Sequence, residues 1–505
     1  MIGAREFTVH RRLALLLALA TVSLSVLLSG LPAYAGVSRA PVATGAELTA
    51  TLLPGAEDGT RLAVDWRGAA GARLGVTLGT SERPDRVLVA ERPLRSGANL
   101  LTLPVHAGAS GTLRLRVEGG SGVLLRTLVQ ELDELRAESE FAWAPESSVA
   151  AVPPGLIVGG IFGATGAGTA NNIARLNGST WSSFTGPGGT GADSQVAVLG
   201  VFDGDLIAGG SFMYAGGNLV RGIARWDGTD WLPLTGSSGT GVMTMPFDFV
   251  ASLAVYNGDL IVGGQFLRAG SVPVNHVARW DGAEWYPLTG PSGTGVDYAA
   301  VRDLAIYGGA LIVGGGFTQA GGIPASRIAR WNGSTWSTLG AGLGTTQVTA
   351  DVAALTIYNG ALIAAGYFDD AAGVTANHVA RWNGTAWSVL TGPSGTGTSD
   401  PVRDVTVYNG ALIVAGHFTH AGGLPVNYIA RWNGSAWSGL TGPSGTGTNS
   451  TVYTVTVRSG ALIVGGDFSQ AGGVSAGYLG RWNGTAWSAV SATGPNGPVF
   501  ALLSA

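Results

Sequence analysis

The residues best equipped for chemistry in this chain come as two matching pairs. "VRDLAIY" sets Arg302 beside Asp303, and "VRDVTVY" sets Arg403 beside Asp404. A guanidinium can hold an anion through charge-assisted hydrogen bonds, and a neighbouring carboxylate accepts hydroxyl or amide protons. Asp369, Asp370 and His420 follow in the related stretches "YFDDAAG" and "HFTHAGG". These seven are the candidate ligand-binding residues. The competing reading of Arg302, Asp303, Arg403 and Asp404 is a set of solvated ion pairs with no ligand.

Other chemistry is harder to assemble. The chain has no cysteine, which removes thiolate nucleophiles, disulfides and Cys-ligated metals together. His276 and His378 occupy a repeat position that elsewhere holds Asn172, Gly222, Arg327, Tyr428 or Tyr478, so it reads as merely tolerant. His417 and His420 are spaced i, i+3, which puts them on opposite faces of a strand, and no carboxylate pair nearby completes a metal site. Glu284 is the sole glutamate after residue 155, so a two-carboxylate glycosidase would depend on aspartates. "TGPSGTG" lacks the lysine of a phosphate loop and leads into a strand instead of a helix. No catalytic residue, cofactor site or metal site is expected.

Composition narrows the partners. All 28 basic residues are arginine, the formal net charge is −4, and no basic cluster interleaves with aromatics. The electrostatic footprint of a nucleic-acid binder is absent. At 46% hydrophobic and 12% charged the chain is far from a disordered composition, and 83 glycines suit many short strands joined by tight turns.

The elements that must position the candidates begin after an address. Residues 1–35 have a basic start ending in Arg11-Arg12, a long apolar run, and Ala33-Tyr34-Ala35 before Gly36. That is the three-part form of a secretory signal. The alternative is an uncleaved anchor, since the run approaches the roughly 20 apolar residues that span a bilayer. No later segment could span a membrane as a helix. The expected location is secreted, periplasmic or cell-surface.

Residues 36–132 alternate cleanly. Leu62, Val64 and Trp66 face one way in "TRLAVDWRG" while Arg61, Asp65 and Arg67 face the other. About seven such runs predict a small β-sandwich. Residues 133–154 read as a charged linker ending in prolines.

From 155 to 505 self-similarity takes over. Phe162, Phe212, Phe266, Phe317, Phe368, Phe418 and Phe468 recur at steps of 50 to 54 residues, and Trp181, Trp231, Trp285, Trp336, Trp387, Trp437 and Trp487 keep the same steps. A fixed period outranks other fold signals. Each of the seven units divides into four strands: V-x-x-L-x-V-Y, then ALIVGG, then xIARW, then the strand through the second Trp. Asn-Gly between the first two strands, and again between the last two, predicts tight two-residue hairpins. Four-stranded units repeated radially are propeller blades. The first unit starts at "GLIVGGIF" without its own first strand, and "PVFALLSA" at the end supplies a match, so strand 499–503 is expected to complete blade one. The fold class is therefore all-β: a seven-bladed β-propeller closed by a C-terminal strand and preceded by a small β-sandwich.

The period, the Gly-Gly ending the second strand and the late Trp resemble kelch-type propellers, the superfamily of the galactose oxidase central domain. "GGxFTxAGG…N-x-IARWNGxxW" is similar to repeats of exported bacterial proteins and of a fungal cell-polarity surface propeller. The resemblance implies architecture over about 350 residues. Its members range from scaffolds to oxidases, and the copper and Cys–Tyr cofactor of galactose oxidase has no counterpart without cysteine.

Geometry then separates two faces. The hairpins between first and second strands and between third and fourth lie at one edge of each blade, and the longer connections lie at the other. The repeated Arg175, Arg225, Arg279, Arg330, Arg381, Arg431 and Arg481 read as blade supports, stacking on aromatics and bonding carbonyls, and the Trp pairs as inter-blade contacts. Arg302, Asp303, Arg403 and Asp404 begin innermost strands near the channel mouth on the long-loop face, where side chains vary between blades. The expected function is non-catalytic binding of a glycan or a surface protein. Two alternatives are an extracellular polysaccharide lyase or hydrolase at the channel mouth, and a structural envelope component.

Overall fold

The computed structural model describes residues 152–505 apart from 167, 244, 246, 298 and 345–347, and before them the backbone of eight short strands between 22 and 132. The chain divides into two compact units, 1–146 and 147–505.

In the first unit, seven strands run from Glu47–Leu53 to Leu124–Leu132 and fall into two antiparallel sheets. Side-chain interdigitation of a sandwich there, the signal segment before Gly36 and the linker up to 151 lie outside the described residues.

The second unit is a seven-bladed β-propeller. Blade four shows the plan: Val301–Tyr307 innermost, then Ala310–Gly315, Ile328–Trp331 and Trp336–Thr338 outward, all antiparallel. Blade one is built from both ends of the unit, with Val499–Ser504 paired against Leu156–Gly160. Each innermost strand lies beside the next, and that of blade one beside that of blade two, so the ring closes without a free inner edge.

The hairpins joining the first two strands are the expected two-residue turns. Asn257 and Gly258 have φ of 50° and 86°, Asn409 and Gly410 of 47° and 70°, as a type I′ turn requires. Before the second Trp, blade one keeps the expected two-residue turn, with Asn177 paired to Thr180, and the other six blades differ. Trp331 pairs with Trp336, leaving a four-residue loop. Asn332 Oδ1 accepts the N–H groups of Ser334 at 3.0 Å and Thr335 at 2.8 Å, an Asx turn that does not need two left-handed residues. Asp227 and Asp281 accept the same bonds in their blades, which explains why Asn and Asp interchange there.

The core lies between blades. One cluster joins Tyr256 and Ile261 of blade three to Leu304, Val313 and Trp331 of blade four. Except for Trp231, which packs on Phe184 without an Nε1 partner, the second Trp of a blade latches to the blade before it: Trp336 Nε1 donates to Leu288 O at 3.1 Å, Trp437 to Leu390 O at 3.1 Å, and Trp487 to Leu440 O at 2.8 Å. Trp181 closes the ring by donating to Thr493 O at 2.7 Å. The A-G-G motif follows from this latch. Gly321 has φ +56°, and a Cβ there would fall 2.1 Å from Trp336 Cδ1. Glycine lets the ribbon lie close on the indole, and blade five places Ala372 there with φ +50°.

The repeated arginines partly depart from expectation. Arg279 does stack on Tyr286, 4.5 Å from the ring centre, yet it also pairs with Asp259 at 2.8 Å. Arg225 pairs with Asp205 at the same distance. From blade four onward this carboxylate position is Ala310, Ala361, Ala411 and Ala461.

Candidate functional site

Every innermost strand begins with a β-bulge, where one residue is left unpaired after a buried valine. A bulge re-aims a side chain without disturbing the ladder beyond it. The seven bulge residues are Ala197, Ala251, Arg302, Ala353, Arg403, Tyr453 and Phe500. They ring the long-loop mouth of the channel. Three are alanine, and the other four are two arginines, a tyrosine and a phenylalanine.

Arg302 reaches from blade four toward both neighbours. Its Nε donates to Asp351 Oδ2 of blade five at 3.0 Å, and its guanidinium lies 5.4 Å from the ring centre of Phe249 in blade three. Burial pushes the Asp351 carboxyl above its ordinary value, with Arg302 opposing that shift. Arg403 has no carboxylate partner of this kind among the described residues. Its Nη2 meets His417 Nε2 at 3.2 Å, while Thr451 Oγ1 lies 3.0 Å from Nδ1. A guanidinium can only donate, so Nε2 accepts and the imidazole is neutral with its proton on Nδ1. Burial and then the charge of Arg403 lower the His417 pKa, which keeps it so. Tyr453 stands edge-on to His417, with ring centres 6.4 Å apart, and stacks on Phe500 at 4.6 Å. The mouth therefore carries an arc of cation, imidazole and aromatic groups over blades four to seven and one. Alanines hold the bulge positions of blades two, three and five.

Asp303 and Asp404 sit one residue further in and do different work. Asp303 Oδ1 accepts the N–H of Leu304 at 2.8 Å, and its Oδ2 accepts that of Leu355 in the next blade at 2.7 Å. Asp404 bridges blades six and seven in the same way, through Val405 and Val455, each at 2.7 Å. Both carboxyls keep some water access through the channel but are surrounded by protein. That burial pushes Asp303 up to about 7 and Asp404 to about 6, against the pull of the N–H bonds. The charge of Asp404 adds to the rise at Asp303.

The structure thus gathers Arg302, Asp303, Arg403 and Asp404 at one mouth, with each aspartate bonded to backbone and neither paired with the arginine beside it. The other three candidates stand further out, on the short ribbons between second and third strands. Asp369 is exposed. Asp370 is buried, and its Oδ2 accepts the N–H of Gly373 at 3.1 Å. His420 is exposed, with Nδ1 at 3.0 Å from Thr419 Oγ1.

No family model matches this chain, and no curated protein does. Among solved structures it is similar to the extracellular domain of a protein from B. thetaiotaomicron described as a hybrid two-component system. The identity is 13% and the TM-score 0.21, with 88% of this chain and 56% of that chain covered. The chain spans just over half the length of that structure.

Four residues of the mouth were not among the candidates: Asp351, His417, Tyr453 and Phe500. Aligning the seven units on the valine of V-x-x-L exposes two of them, because Tyr453 and Phe500 fall where Arg302 and Arg403 do. Asp351 and His417 have no such signal. Asp351 precedes the bulge of blade five and reaches Arg302 from that next blade, while His417 follows the second strand of blade six and meets Arg403 across the first hairpin of the same blade. Among the described residues no group of three or more metal-ligating side chains occurs, and no helix is long and apolar enough to cross a membrane.

Proposed function

We propose that this chain is an exported, cell-surface or periplasmic propeller of the kelch type that binds an anionic group of a glycan or surface protein, without catalysis, at the long-loop mouth of its channel. The observation that carries the reading is Arg403: an exposed guanidinium with no carboxylate partner among the described residues, held in place by His417 and set beside the Tyr453–Phe500 stack. Such a cation offers charge-assisted hydrogen bonds to a carboxylate or sulfate, and the neighbouring rings offer apolar area to a sugar or side chain. Export rests on the signal-like residues 1–35, and the kelch relationship on the repeat phrase.

Titration of the full chain with oligogalacturonate and with a heparin oligosaccharide, read by calorimetry at two salt concentrations, tests the proposal. Binding that weakens with salt and is lost in Arg403→Ala supports it. No binding of any acidic glycan or acidic protein surface, or binding indifferent to Arg403, ends it.

A second reading draws on the same mouth. A neutral imidazole at His417, next to an arginine able to hold a uronate carboxylate and a tyrosine able to give a proton, is a set suited to β-elimination. Formation of unsaturated uronate ends from polygalacturonate, absent in His417→Ala, would favour the lyase over the binding protein.

A further inference from the structure

Away from the channel mouth, a cleft of about 630 Å³ lies on the long-loop face where blade one meets blade two. Its origin is legible residue by residue. Blade one carries Gly163, Ala164, Gly168 and Thr169 where blade four carries Thr318, Gln319, Ile323 and Pro324. Of these, Gly163 lines the cleft, where blade four has the larger Thr318. A Cβ added at Gly163 would meet nothing within 4 Å.

What lines the space is polar and held rigidly. Asp193 Oδ1 accepts the N–H groups of Met213 and Tyr214 at 2.9 and 3.1 Å, which leaves Oδ2 open. Asn496 Oδ1 accepts those of Gly163 and Ala164 at 3.0 and 3.1 Å, which leaves its Nδ2 hydrogens open. Asn171 Nδ2 donates to Thr190 O at 3.0 Å, which leaves Oδ1 open. Beside them the Tyr214 ring is 47% exposed. No arginine or histidine lines the cleft, so nothing there would neutralise an anion. One carboxylate oxygen, one amide oxygen, one amide N–H₂ and an exposed aromatic face are the groups that recognise vicinal hydroxyls and the C–H face of a ring. The volume lies within the roughly 300–1,000 Å³ of sites for small ligands.

The geometry points to a second ligand site, distinct from the channel mouth: a neutral sugar seated in the seam between blades one and two, its ring on Tyr214 and its hydroxyls on Asp193, Asn171 and Asn496. Two backbone bonds each hold Asp193 and Asn496 and one holds Asn171, so the site is formed before the ligand arrives.

The experiment uses the full chain and a panel of glucose, galactose, mannose, N-acetylglucosamine, cellobiose and maltose, with glucuronate as the charged comparison. Ligand-observed NMR and calorimetry at millimolar sugar give the readout. The expected result is binding of at least one neutral sugar, weakened at least tenfold by Tyr214→Ala and by the double change Gly163→Thr with Ala164→Gln, and unaltered by Arg403→Ala. The double change installs residues that blade four already carries, so its melting temperature should match that of the parent, which keeps lost binding apart from lost folding. Failure of the whole panel to bind, binding of glucuronate alone, or binding untouched by both changes overturns the site. Because Arg403→Ala affects the channel mouth only, each site can fail while the other stands.

Discussion

Asp404 Oδ2 accepts the backbone N–H of Val455 at 2.7 Å, so a carboxylate of blade six closes a gap in the innermost strand of blade seven. The N–H it satisfies is two residues past Tyr453, the bulge at the head of that strand. Asp303 does the same for Leu355 between blades four and five. A group first read as half of a ligand-binding pair is also an inter-blade tie.

Burial of these two carboxyls, stronger than the opposing pull of the N–H bonds, makes stability depend on pH. Both carboxyls titrate higher in the folded chain than the ordinary value of 3.8, at about 7 and about 6. The folded state therefore holds more protons than the unfolded one between these limits, and stability falls as pH rises through them. The contribution is fully present below about pH 4 and lost by about pH 7. Calorimetric scans should show a melting temperature that declines over this window, and Asp303→Asn with Asp404→Asn should flatten the decline. A melting temperature that climbs from pH 4 to 7 in the parent, and equally in the double variant, would contradict this.

The two arginines should respond differently to truncation. Arg403→Ala is expected to weaken anionic-ligand binding at least tenfold, about 1.4 kcal/mol, with stability unchanged within about 0.5 kcal/mol. Arg302→Ala should also lower stability at neutral pH, because it removes the partner of Asp351, whose carboxyl burial already disfavours ionisation. Equal melting temperatures for both variants would show that the ion pair contributes nothing.

Ring closure can be cut at the seam. Removing residues 496–505 deletes Val499–Ser504 and bares the edge of Leu156–Gly160. Loss of the cooperative transition or aggregation is expected. A truncated chain that melts and stays in solution like the parent would rule out the C-terminal clasp.

The indole latch separates hydrogen bonding from volume. Trp437→Phe removes the bond to Leu390 O and should cost about 1 kcal/mol, and Trp437→Ala about 3–5 kcal/mol through the cavity left at a nearly buried site. Denaturant unfolding measures both, and neither change should alter ligand affinity.

Export is checked by the mature terminus. Peptide mapping of secreted protein should place the first residue at or near Gly36, after Ala33-Tyr34-Ala35. Peptides containing Arg5 in membrane-recovered protein would mean an anchor instead.

The architecture was legible because repetition multiplies weak signals. One Asn-Gly or one Trp says little, but seven copies at steps of 50 to 54 residues leave few folds that can bury each unit's apolar faces. Even the closing strand could be read, since the first unit lacks what the last residues supply. The third hairpin was misjudged because Asn-Gly serves two turns, and only hydrogen bonding shows that the Asn332 side chain, not its φ, makes the second one.

The site was legible in part for a related reason. Sequence alone marks Arg302 and Arg403 as departures from a repeat, and it assigns them to the heads of innermost strands. It does not say that Arg302 meets Asp351 of the next blade, that Arg403 leans on His417, or that Tyr453 stacks on Phe500 across the junction of blades seven and one. The first and last of these cross between blades and the second crosses a hairpin within blade six, so their distances depend on how far each blade turns about the axis and where each bulge aims its residue. Periodicity along the chain determines the blades; the closed ring, which bonds the last strand to the first unit, decides which side chains meet.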